Sequence, residues 1–315
     1  MKLLIAEARG FSPQALEILQ GAFEVRMADL GRHDLLNAVA DADILWVRLR
    51  NHVDQEMLAA APQLRCVVTN TTGLNHIDLN AAEQRGIRVL SLRGEVDFLG
   101  EIRATAELAL GLLLALVRHI PAASRHVCTG GWDRDHFKGH ELSGKTAAVV
   151  GYGRLGRIMA RYLKGLDLTV IAVDPAPEAA RKALEDGTAL LPLADALARA
   201  DIVTLHVDLT PKTVGMFDGI TLARIKRGAW LVNTARGELL DERALLDALE
   251  TGRLSGAALD VISGEYMARM ANDRLIDYAA THDNLLLTPH LGGNTFESLE
   301  KTEIFLAKKL AGLGL

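Results

Sequence analysis

Cysteine is scarce in this sequence of 315 residues, and aromatic residues make up only 4% of it. The two cysteines, Cys66 and Cys128, lie far apart without CxxC spacing, so we expect no disulfide framework and assign no metal site. This usage is typical of a reducing, cytoplasmic setting. Charged residues follow within the first ten positions, at Glu7 and Arg9, so we expect no signal peptide.

An excess of positive charge is also lacking. The formal net charge is −5 and the isoelectric point is about 6.1, which gives no bulk attraction to nucleic acid or to an anionic membrane. The most apolar stretch, from Leu108 to Val117, is too short to span a bilayer. We therefore expect no nucleic-acid partner and no membrane partner. Hydrophobic residues make up 49% of the chain, which is enough for two globular domains.

Short apolar runs alternate with helical patterns from the N-terminus onward. Alternation of strands and helices predicts a parallel sheet with right-handed crossovers. One helix is opened by Ser12 and Pro13, because serine caps a helix and proline fits its first turn. The predicted strands are KLLIAEA, FEVRMA, DILWV, LRCVVTN and IRVLSL, and the further helices lie near 32–41, near 54–60 and in AAEQRG.

A long helix over about 101–119 is apolar nearly all round, which predicts burial on several faces, between domains or between subunits. From Lys145 the alternation restarts and predicts a doubly wound sheet. The last segment, 295–310, is an amphipathic helix without a following strand, so we expect it to return to the first domain. The six strands predicted after Lys145 are TAAVVGYG, TVIAVD, ADIVTLHV, AWLVNTA, LSGAALDV and NLLLTPH.

The first of these strands enters the glycine motif GYGRLG. Gly151 permits a tight turn, Gly153 lets the backbone approach a pyrophosphate, and Gly156 lets the helix pack close to the sheet. The amides of Arg154 and Leu155 open the helix, where the helix dipole favours phosphate. This pattern predicts a dinucleotide site, and the alternative is a glycine turn in an unrelated α/β sheet.

Asp174 ends the next predicted strand, at the distance from Gly156 that suits a ribose-binding carboxylate. A carboxylate there accepts hydrogen bonds from the adenosine ribose hydroxyls and repels a 2′-phosphate. Pro175-Ala176-Pro177 follows without an arginine to hold that phosphate. NAD is therefore favoured over NADP as the cofactor.

Reactive side chains stand at the carboxyl ends of later strands, which converge on the cofactor crevice of a doubly wound sheet. Arginine can hold a carboxylate by two parallel hydrogen bonds, and histidine can exchange a hydroxyl proton while a carboxylate fixes its tautomer. Singly, each residue also fits a structural role. Together, after a dinucleotide motif, they favour catalysis. The residues are Arg236 in NTARGELLDE, Asp260 and Glu265 in AALDVISGE, and His290 in LTPHLGG.

At this point the sequence resembles the D-isomer-specific 2-hydroxyacid dehydrogenase family, which includes phosphoglycerate, D-lactate and glyoxylate/hydroxypyruvate enzymes. The resemblance implies hydride transfer between nicotinamide C4 and C2 of a small 2-hydroxy or 2-oxo acid. It also implies a homodimer built on the long apolar helix. The motifs, in family order, are TTGLNHIDL at 71–79, ATAELALGLLL at 104–114, ELSGKTAAVVGYGRLGR at 141–157, LHVDLTPKT at 205–213, NTARGELLDE, AALDV and TPHLGG.

The resemblance also implies roles for individual residues. Arg236 would bind the substrate carboxylate, His290 with Glu265 would be the acid/base pair, and Asp260 would hold the nicotinamide carboxamide. The remaining residues expected to line the cofactor are Thr105, His206, Thr213, Thr234, Ala235 and Gly292. The implied fold is α/β, with two doubly wound parallel-sheet domains. A Rossmann NAD domain, 101–290, is inserted into a flavodoxin-like substrate domain, 1–100 and 291–315.

The first domain would supply the substrate-binding groups. Backbone amides of Thr72-Gly73-Leu74 resemble the family turn that binds the substrate's acidic end. Arg48 and Arg50 stand where some members carry arginines facing the distal group of the substrate. If they point inward, the substrate has an anionic tail; the alternative is that one or both are solvated surface charges.

Two departures from the family pattern leave the substrate open. The connection SLRGEVDFLGEIR, 91–103, is longer and more charged than usual, and ISGEY stands where many members have a Phe and a Glu-Pro. Within the fold, a phosphite dehydrogenase is an alternative, whereas formate enzymes have a glutamine in place of Glu265. An alternative of another class is an NAD(H)-sensing binding protein similar to the co-repressors that share this fold.

Overall fold

The structure is a computed structural model that describes residues 1–265 and 274–314. The chain divides into two compact units. Unit 1 comprises Met1–Ile102 and Asn294–Leu315, and unit 2 comprises Arg103–Gly293.

Unit 1 is built on a five-stranded parallel sheet, which confirms the five strands predicted from the sequence. The strand order is β2-β1-β3-β4-β5, so the direction of winding reverses between β1 and β3. Helices cover both faces, and this explains why β3 and β4 are buried along their whole length. The strands are β1 (Lys2–Ile5), β2 (Glu24–Met27), β3 (Ile44–Val47), β4 (Cys66–Thr69) and β5 (Arg88–Leu90). The helices are α1 (Pro13–Gln20), α2 (Arg32–Ala38), α3 (Gln55–Ala60), α4 (Leu79–Gln84), α5 (Val96–Leu99) and α14 (Phe296–Ala311).

Helix α1 begins as the sequence predicts, because the Ser12 hydroxyl accepts a hydrogen bond from the amide of Ala15 at 3.3 Å. A cap of this kind contributes about 1 kcal/mol. Leu19 of α1 and Leu306 of α14 belong to one apolar cluster on the same face of the sheet. The C-terminal helix is therefore part of the core of unit 1.

The unusual connection 91–103 folds onto that C-terminal helix. It contains α5, and the ring of Phe98 stacks on Phe305 with 4.0 Å between centroids. Glu95 forms an ion pair with Lys309, while Leu99 is buried in the same core. The extra length of the connection is thus held by packing and charge within unit 1.

Unit 2 is built on a seven-stranded parallel sheet in the order β12-β11-β10-β9-β6-β7-β8. The six predicted strands are confirmed. The seventh, β8, was missed because two residues are too few to show a pattern. The strands are β6 (Thr146–Val150), β7 (Thr169–Val173), β8 (Ala189–Leu190), β9 (Ile202–Leu205), β10 (Ala229–Asn233), β11 (Leu254–Leu259) and β12 (Leu285–Leu287). The helices are α6 (Ala104–Val117), α7 (Ile120–Cys128), α8 (Arg154–Gly165), α9 (Pro177–Glu185), α10 (Leu193–Arg199), α11 (Gly219–Arg224), α12 (Glu242–Glu250) and α13 (Arg274–Thr281).

The long apolar helix is α6, and half of its residues are buried; all of these except Ala104 follow the spacing of one helix face, so the chain alone does not bury the helix on several faces as the sequence predicts. A Cβ at Gly256 of β11 would lie 2.9 Å from the Leu116 side chain, so α6 packs closely on the sheet. Within the described residues, no single helix has the length and apolarity to cross a bilayer. One bent pair of helical segments, Val96–Val117 with Ile120–Cys128, has that length and apolarity, but by length and composition only.

Candidate active site

The glycine turn after β6 requires its glycines. Gly151 has a φ of +92°, and a Cβ there would lie 2.6 Å from the carbonyl carbon of His206. A Cβ at Gly156 would lie 1.9 Å from the Gly151 carbonyl oxygen. Gly153, just before α8, has open space where a Cβ would project. A ligand can therefore approach the backbone at the start of α8, beside Arg154 and Leu155.

Asp174 follows β7 at the edge of this turn. Its Oδ2 accepts a hydrogen bond from the Tyr152 amide at 2.8 Å, and its Oδ1 accepts one from Ala176 at 2.9 Å. The carboxylate is thereby fixed beside the glycine motif, where a ribose-binding acid is expected.

Tyr152, inside the glycine motif, is a residue that the sequence reasoning passed over. Its hydroxyl lies 2.9 Å from Thr188 Oγ1 and donates to Asp186 at 3.1 Å. Arg157 of α8 donates two hydrogen bonds of 2.7 Å to the same Asp186 carboxylate. These contacts fix the start of α8. An aromatic residue between two glycines of the motif could have indicated that Tyr152 has a structural role.

The turn that carries Arg236 is held by Asn233, the last residue of β10. Asn233 Oδ1 accepts a hydrogen bond from the Ala235 amide at 3.0 Å, and its Nδ2 donates to the Arg236 carbonyl at 2.8 Å. Asn233 is fully buried and was also passed over, although a polar residue ending an apolar strand could have indicated it.

Gly237 brings this turn against the loop that carries Glu265. A Cβ at Gly237 would lie 2.0 Å from the carbonyl carbon of Ile262 and 2.3 Å from the Ser263 amide nitrogen. Only glycine permits this approach, so the Arg236 turn and the Glu265 loop pack directly against each other.

Glu265 and His290 form a hydrogen-bonded pair, with 2.7 Å between Glu265 Oε1 and His290 Nδ1. Because an ionised carboxylate only accepts hydrogen bonds, this contact places the proton of a neutral ring on Nδ1. His290 has a φ of +54°, in the left-handed region that few residues other than glycine adopt, although histidine does so more often than most. Strained backbone of this kind is often found at functional sites.

Asp260, after β11, holds the loop that carries His290. Its Oδ1 accepts hydrogen bonds from Thr288 Oγ1 at 2.6 Å and from the Leu291 amide at 2.8 Å, and its Oδ2 accepts one from Gly292 at 2.8 Å. Asp260 is only 1% exposed. Burial raises the pKa of this carboxyl group, and the bonds from Thr288 and Leu291 oppose the rise. The family resemblance implies that Asp260 holds the nicotinamide carboxamide; the structure adds that Asp260 positions the loop of His290.

The other residues expected at the cofactor also lie in unit 2. Thr105 is next to the His290 loop, because a Cβ at Gly292 would lie 3.1 Å from its Cγ2. Thr213 closes its own turn, with its hydroxyl donating to the Asp208 carbonyl at 2.7 Å. Thr234, beside the buried Ala235, has a buried hydroxyl without a hydrogen-bond partner among the described residues. An unsatisfied hydroxyl, open backbone at Gly153 and a fixed Asp174 carboxylate fit a bound dinucleotide.

His206, after β9, is held neutral. Its Nε2 lies 2.9 Å from Thr204 Oγ1, and burial lowers the pKa of His206 from 6.5 to about 4. At a pH between about 4 and 6.5, His206 binds a proton in the unfolded chain but not in the folded chain. This difference therefore lowers stability as the pH falls from 6.5 towards 4.

We expect the His206→Gln variant to lose less stability on acidification than the parent. The lowered pKa of His206 corresponds to about 2 kcal/mol between pH 7.5 and pH 5, at 1.4 kcal/mol per pH unit. Urea unfolding of both proteins at the two pH values measures the difference. An equal loss in both proteins would show that His206 titrates normally.

The residues expected to bind substrate lie in unit 1. Thr72, Gly73 and the buried Leu74 follow β4, and the Thr71 hydroxyl donates to the Gly73 carbonyl at 2.8 Å. The two arginines after β3 are each engaged by a carboxylate of unit 1. Arg48 Nε donates to Glu303 at 3.2 Å, and Arg50 Nη2 donates to Asp29 at 2.6 Å.

No group of three or more His, Cys, Asp or Glu side chains that could hold a metal ion occurs within residues 1–265 and 274–314.

Comparisons with known proteins identify the family of this chain. The family model described as "D-isomer specific 2-hydroxyacid dehydrogenase, NAD binding domain" matches residues 110–292. The D-3-phosphoglycerate dehydrogenase of Mycobacterium tuberculosis is 39% identical over 315 residues, which cover 99% of this chain and 57% of that protein. This chain thus spans little more than half the length of that relative.

Solved structures are similar over nearly the whole chain. A protein of Thermus thermophilus has a TM-score of 0.81 and 31% identity, covering 98% of this chain and 96% of its own. The D-lactate dehydrogenase of Aquifex aeolicus, solved with NAD and lactic acid, has a TM-score of 0.83 and 25% identity, covering 98% and 94%. The family match covers more than half of the chain, and its residues include the glycine turn and the Glu265–His290 pair. The chain therefore belongs to the D-isomer-specific 2-hydroxyacid dehydrogenase family, with an NAD-binding domain in unit 2.

Proposed function

We propose that this protein is an NAD-dependent dehydrogenase that interconverts a small 2-oxo acid and the corresponding 2-hydroxy acid. The observation that carries the proposal is the Glu265–His290 pair, at 2.7 Å, on a loop anchored by the buried Asp260. Such a pair supplies and removes a proton at one fixed atom, which reduction of a keto group requires.

Each catalytic residue has one task in this proposal. His290 presents Nε2 to the C2 oxygen of the substrate, while Glu265 holds Nδ1 and stabilises the charged ring after proton uptake. The Arg236 guanidinium binds the substrate carboxylate by two parallel hydrogen bonds and so orients C2. When bound, NADH supplies the hydride.

A spectrophotometric panel tests this function. NADH oxidation is followed with pyruvate, glyoxylate, hydroxypyruvate, 2-oxoglutarate, oxaloacetate and phosphohydroxypyruvate, because the named relatives act on phosphoglycerate and lactate. We expect turnover of at least one acid, retained in His33→Ala, whose ring is exposed in unit 1. Tight NADH binding without turnover of any acid would contradict the proposal and favour the NAD(H)-sensing alternative.

We further infer that unit 2 forms the contact of a homodimer. Trp132 is 88% exposed, and Ile120 and Val127 of α7 are also exposed, so unit 2 presents several large apolar side chains to solvent. We expect Trp132→Asp to shift the protein towards the monomer in sedimentation velocity. Leu184→Asp is the control, because Leu184 is exposed on α9. Identical sedimentation of the parent and Trp132→Asp would contradict this interface.

A further inference from the structure

A group of polar side chains joins the glycine turn of unit 2 to the turn between α9 and β8. Tyr152, inside the glycine motif, is only 1% exposed, and its hydroxyl lies against the side chains of Asp186 and Thr188. Helix α8 contributes two cations, Arg157 and Lys164, to the same group. We call these five residues the Tyr152 network. They connect the glycine turn, α8 and the α9–β8 turn.

The hydrogen bonds of the Tyr152 network converge on Asp186. Arg157 donates two bonds of 2.7 Å to Asp186, and this pairing holds the pKa of the Asp186 carboxyl below its ordinary value. Because an ionised carboxylate only accepts hydrogen bonds, the Tyr152 hydroxyl donates to Asp186 at 3.1 Å and accepts from Thr188 at 2.9 Å. Lys164 in turn donates to Thr188 Oγ1 at 2.8 Å. Asp186 is thus the final acceptor of the chain.

Asp174, the carboxylate expected at the adenosine ribose, is held by two of the segments that the Tyr152 network joins. Its Oδ2 accepts from the Tyr152 amide at 2.8 Å, and its Oδ1 accepts from the Ala176 amide at 2.9 Å. Tyr152 is anchored through its hydroxyl. Ala176 is followed by α9, which ends immediately before Asp186. Both amides that orient Asp174 therefore belong to segments anchored at Asp186.

Asp186 also neutralises a cation close to the glycine turn. Arg157 is the fourth residue of α8, whose first turn is expected to face phosphate. Its side chain is 35% exposed, and a bidentate pairing of this kind fixes the guanidinium group and offsets its charge. Without the Asp186 carboxylate, the Tyr152 network would contain two cations and no anion. That arrangement would favour a cofactor with an additional phosphate.

We propose that Asp186 is a positioning residue that makes unit 2 select NAD over NADP. Asp186 anchors the amides that orient Asp174, and it neutralises Arg157. An oriented Asp174 accepts hydrogen bonds from the ribose hydroxyls and repels a 2′-phosphate, while a paired Arg157 does not attract that phosphate. The inference goes beyond the dehydrogenase function proposed above, because it concerns the choice of cofactor by unit 2 and holds for any acid that is reduced.

The test measures the dissociation constants of NADH and NADPH by quenching of protein fluorescence, so it does not need turnover. We expect the parent to bind NADH more tightly than NADPH. Asp186→Asn keeps the shape of the side chain but removes its charge. The preference for NADH should therefore fall by about tenfold or more, which corresponds to about 1.4 kcal/mol. A parent that binds both cofactors equally, or an unchanged preference in folded Asp186→Asn, would overturn the proposal.

Asp201→Asn is the matched control. Asp201 also pairs with a cation, Lys226 at 2.6 Å, and accepts from a backbone amide, that of Thr146 at 2.9 Å. It precedes the amino end of β9, whereas the glycine turn follows the carboxyl end of the parallel neighbour β6. The preference of this variant for NADH should equal that of the parent. If both variants lose stability in thermal melting and both keep the preference, the role of Asp186 is in stability alone and the proposal fails.

Tyr152→Phe tests the anchoring separately and covers the case in which Asp186→Asn does not fold. It removes one hydroxyl group and leaves the pair of Asp186 and Arg157 intact. The dissociation constant of NADH should rise by about threefold or more, while that of NADPH changes less. Tyr162→Phe is the control on the same helix, because the Tyr162 hydroxyl lies 3.5 Å from Glu107 and outside the Tyr152 network. Equal NADH binding by Tyr152→Phe and the parent would contradict the anchoring role.

The double variant Arg157→Gln/Asp186→Asn isolates the effect of charge. It removes the cation that Asp186→Asn leaves unpaired, but it does not restore the anchor of Tyr152. We expect the dissociation constant of NADPH to return to within about threefold of the parent, while NADH binding stays weakened. NADPH binding as tight as in Asp186→Asn would show that Asp186 does not act through Arg157 and would overturn that part of the proposal.

Discussion

Replacement of His290 by alanine is expected to lower kcat by about 10²- to 10⁴-fold, the usual contribution of a positioned general acid or base. The NADH affinity should stay within about threefold, because the ring is assigned to the substrate and not to the cofactor. Steady-state kinetics give kcat, and quenching of protein fluorescence gives the dissociation constant of NADH.

The size of this effect follows from the surroundings of His290. Glu265 fixes the tautomer through Nδ1 at 2.7 Å, and the amide of His290 donates to the Asp260 carbonyl at 2.9 Å. The ring therefore has one orientation, and a water molecule in its place would have none of this preorganisation. His282→Ala removes an exposed ring from the same unit and should leave kcat unchanged. An equal loss in both variants, or no loss in His290→Ala, would remove His290 from the mechanism.

Gly237→Ala is expected to lower kcat/KM by about 10²-fold or more, although the change adds one methyl group. The new Cβ would lie 2.0 Å from the carbonyl carbon of Ile262, which is backbone and can only move with its loop. That loop carries Glu265, while residue 237 follows Arg236, so both groups are displaced together. A misplacement of about 1 Å is enough for a loss of this size.

The control for this variant is Gly219→Ala. Gly219 is the first residue of α11, and a Cβ there would meet only the Ala244 methyl group at an ordinary 3.8 Å. Alanine at this position should keep kcat/KM within about threefold. Both proteins are compared by thermal melting and by kinetics. Full activity of Gly237→Ala would show that the Arg236 turn and the Glu265 loop move independently.

Local sequence patterns were sufficient for much of the fold. Apolar runs of four to five residues predicted the long strands, and the spacing of Gly151, Gly153 and Gly156 predicted the turn after β6. These features depend on neighbours in sequence, so one segment contains the information. The strand β8 lies at the edge of its sheet and is too short to carry a pattern.

Contacts between distant segments could not be predicted in this way. Glu303 lies in an amphipathic helix and reads as a surface residue, but its partners Arg48 and Ser12 are more than 250 positions away. Asn233 and Gly237 likewise depend on loops that the sequence does not place beside them. For Arg48 and Arg50 the sequence offered two alternatives, contact with substrate or a solvated surface charge. Neither alternative included pairing with carboxylates inside unit 1.

The division of unit 1 into two segments has a consequence for synthesis of the protein. The strands β1–β5 are translated before unit 2, but α14, which completes one face of their core with Leu306 and Leu310, is translated after it. All of 103–293 is translated in between, and that stretch contains the whole of unit 2. Domains tend to fold as units during synthesis, and contacts distant in sequence form late. The nascent chain therefore carries an exposed apolar face on the sheet of unit 1 until α14 has been translated, and unit 2 can reach its native state before unit 1 does.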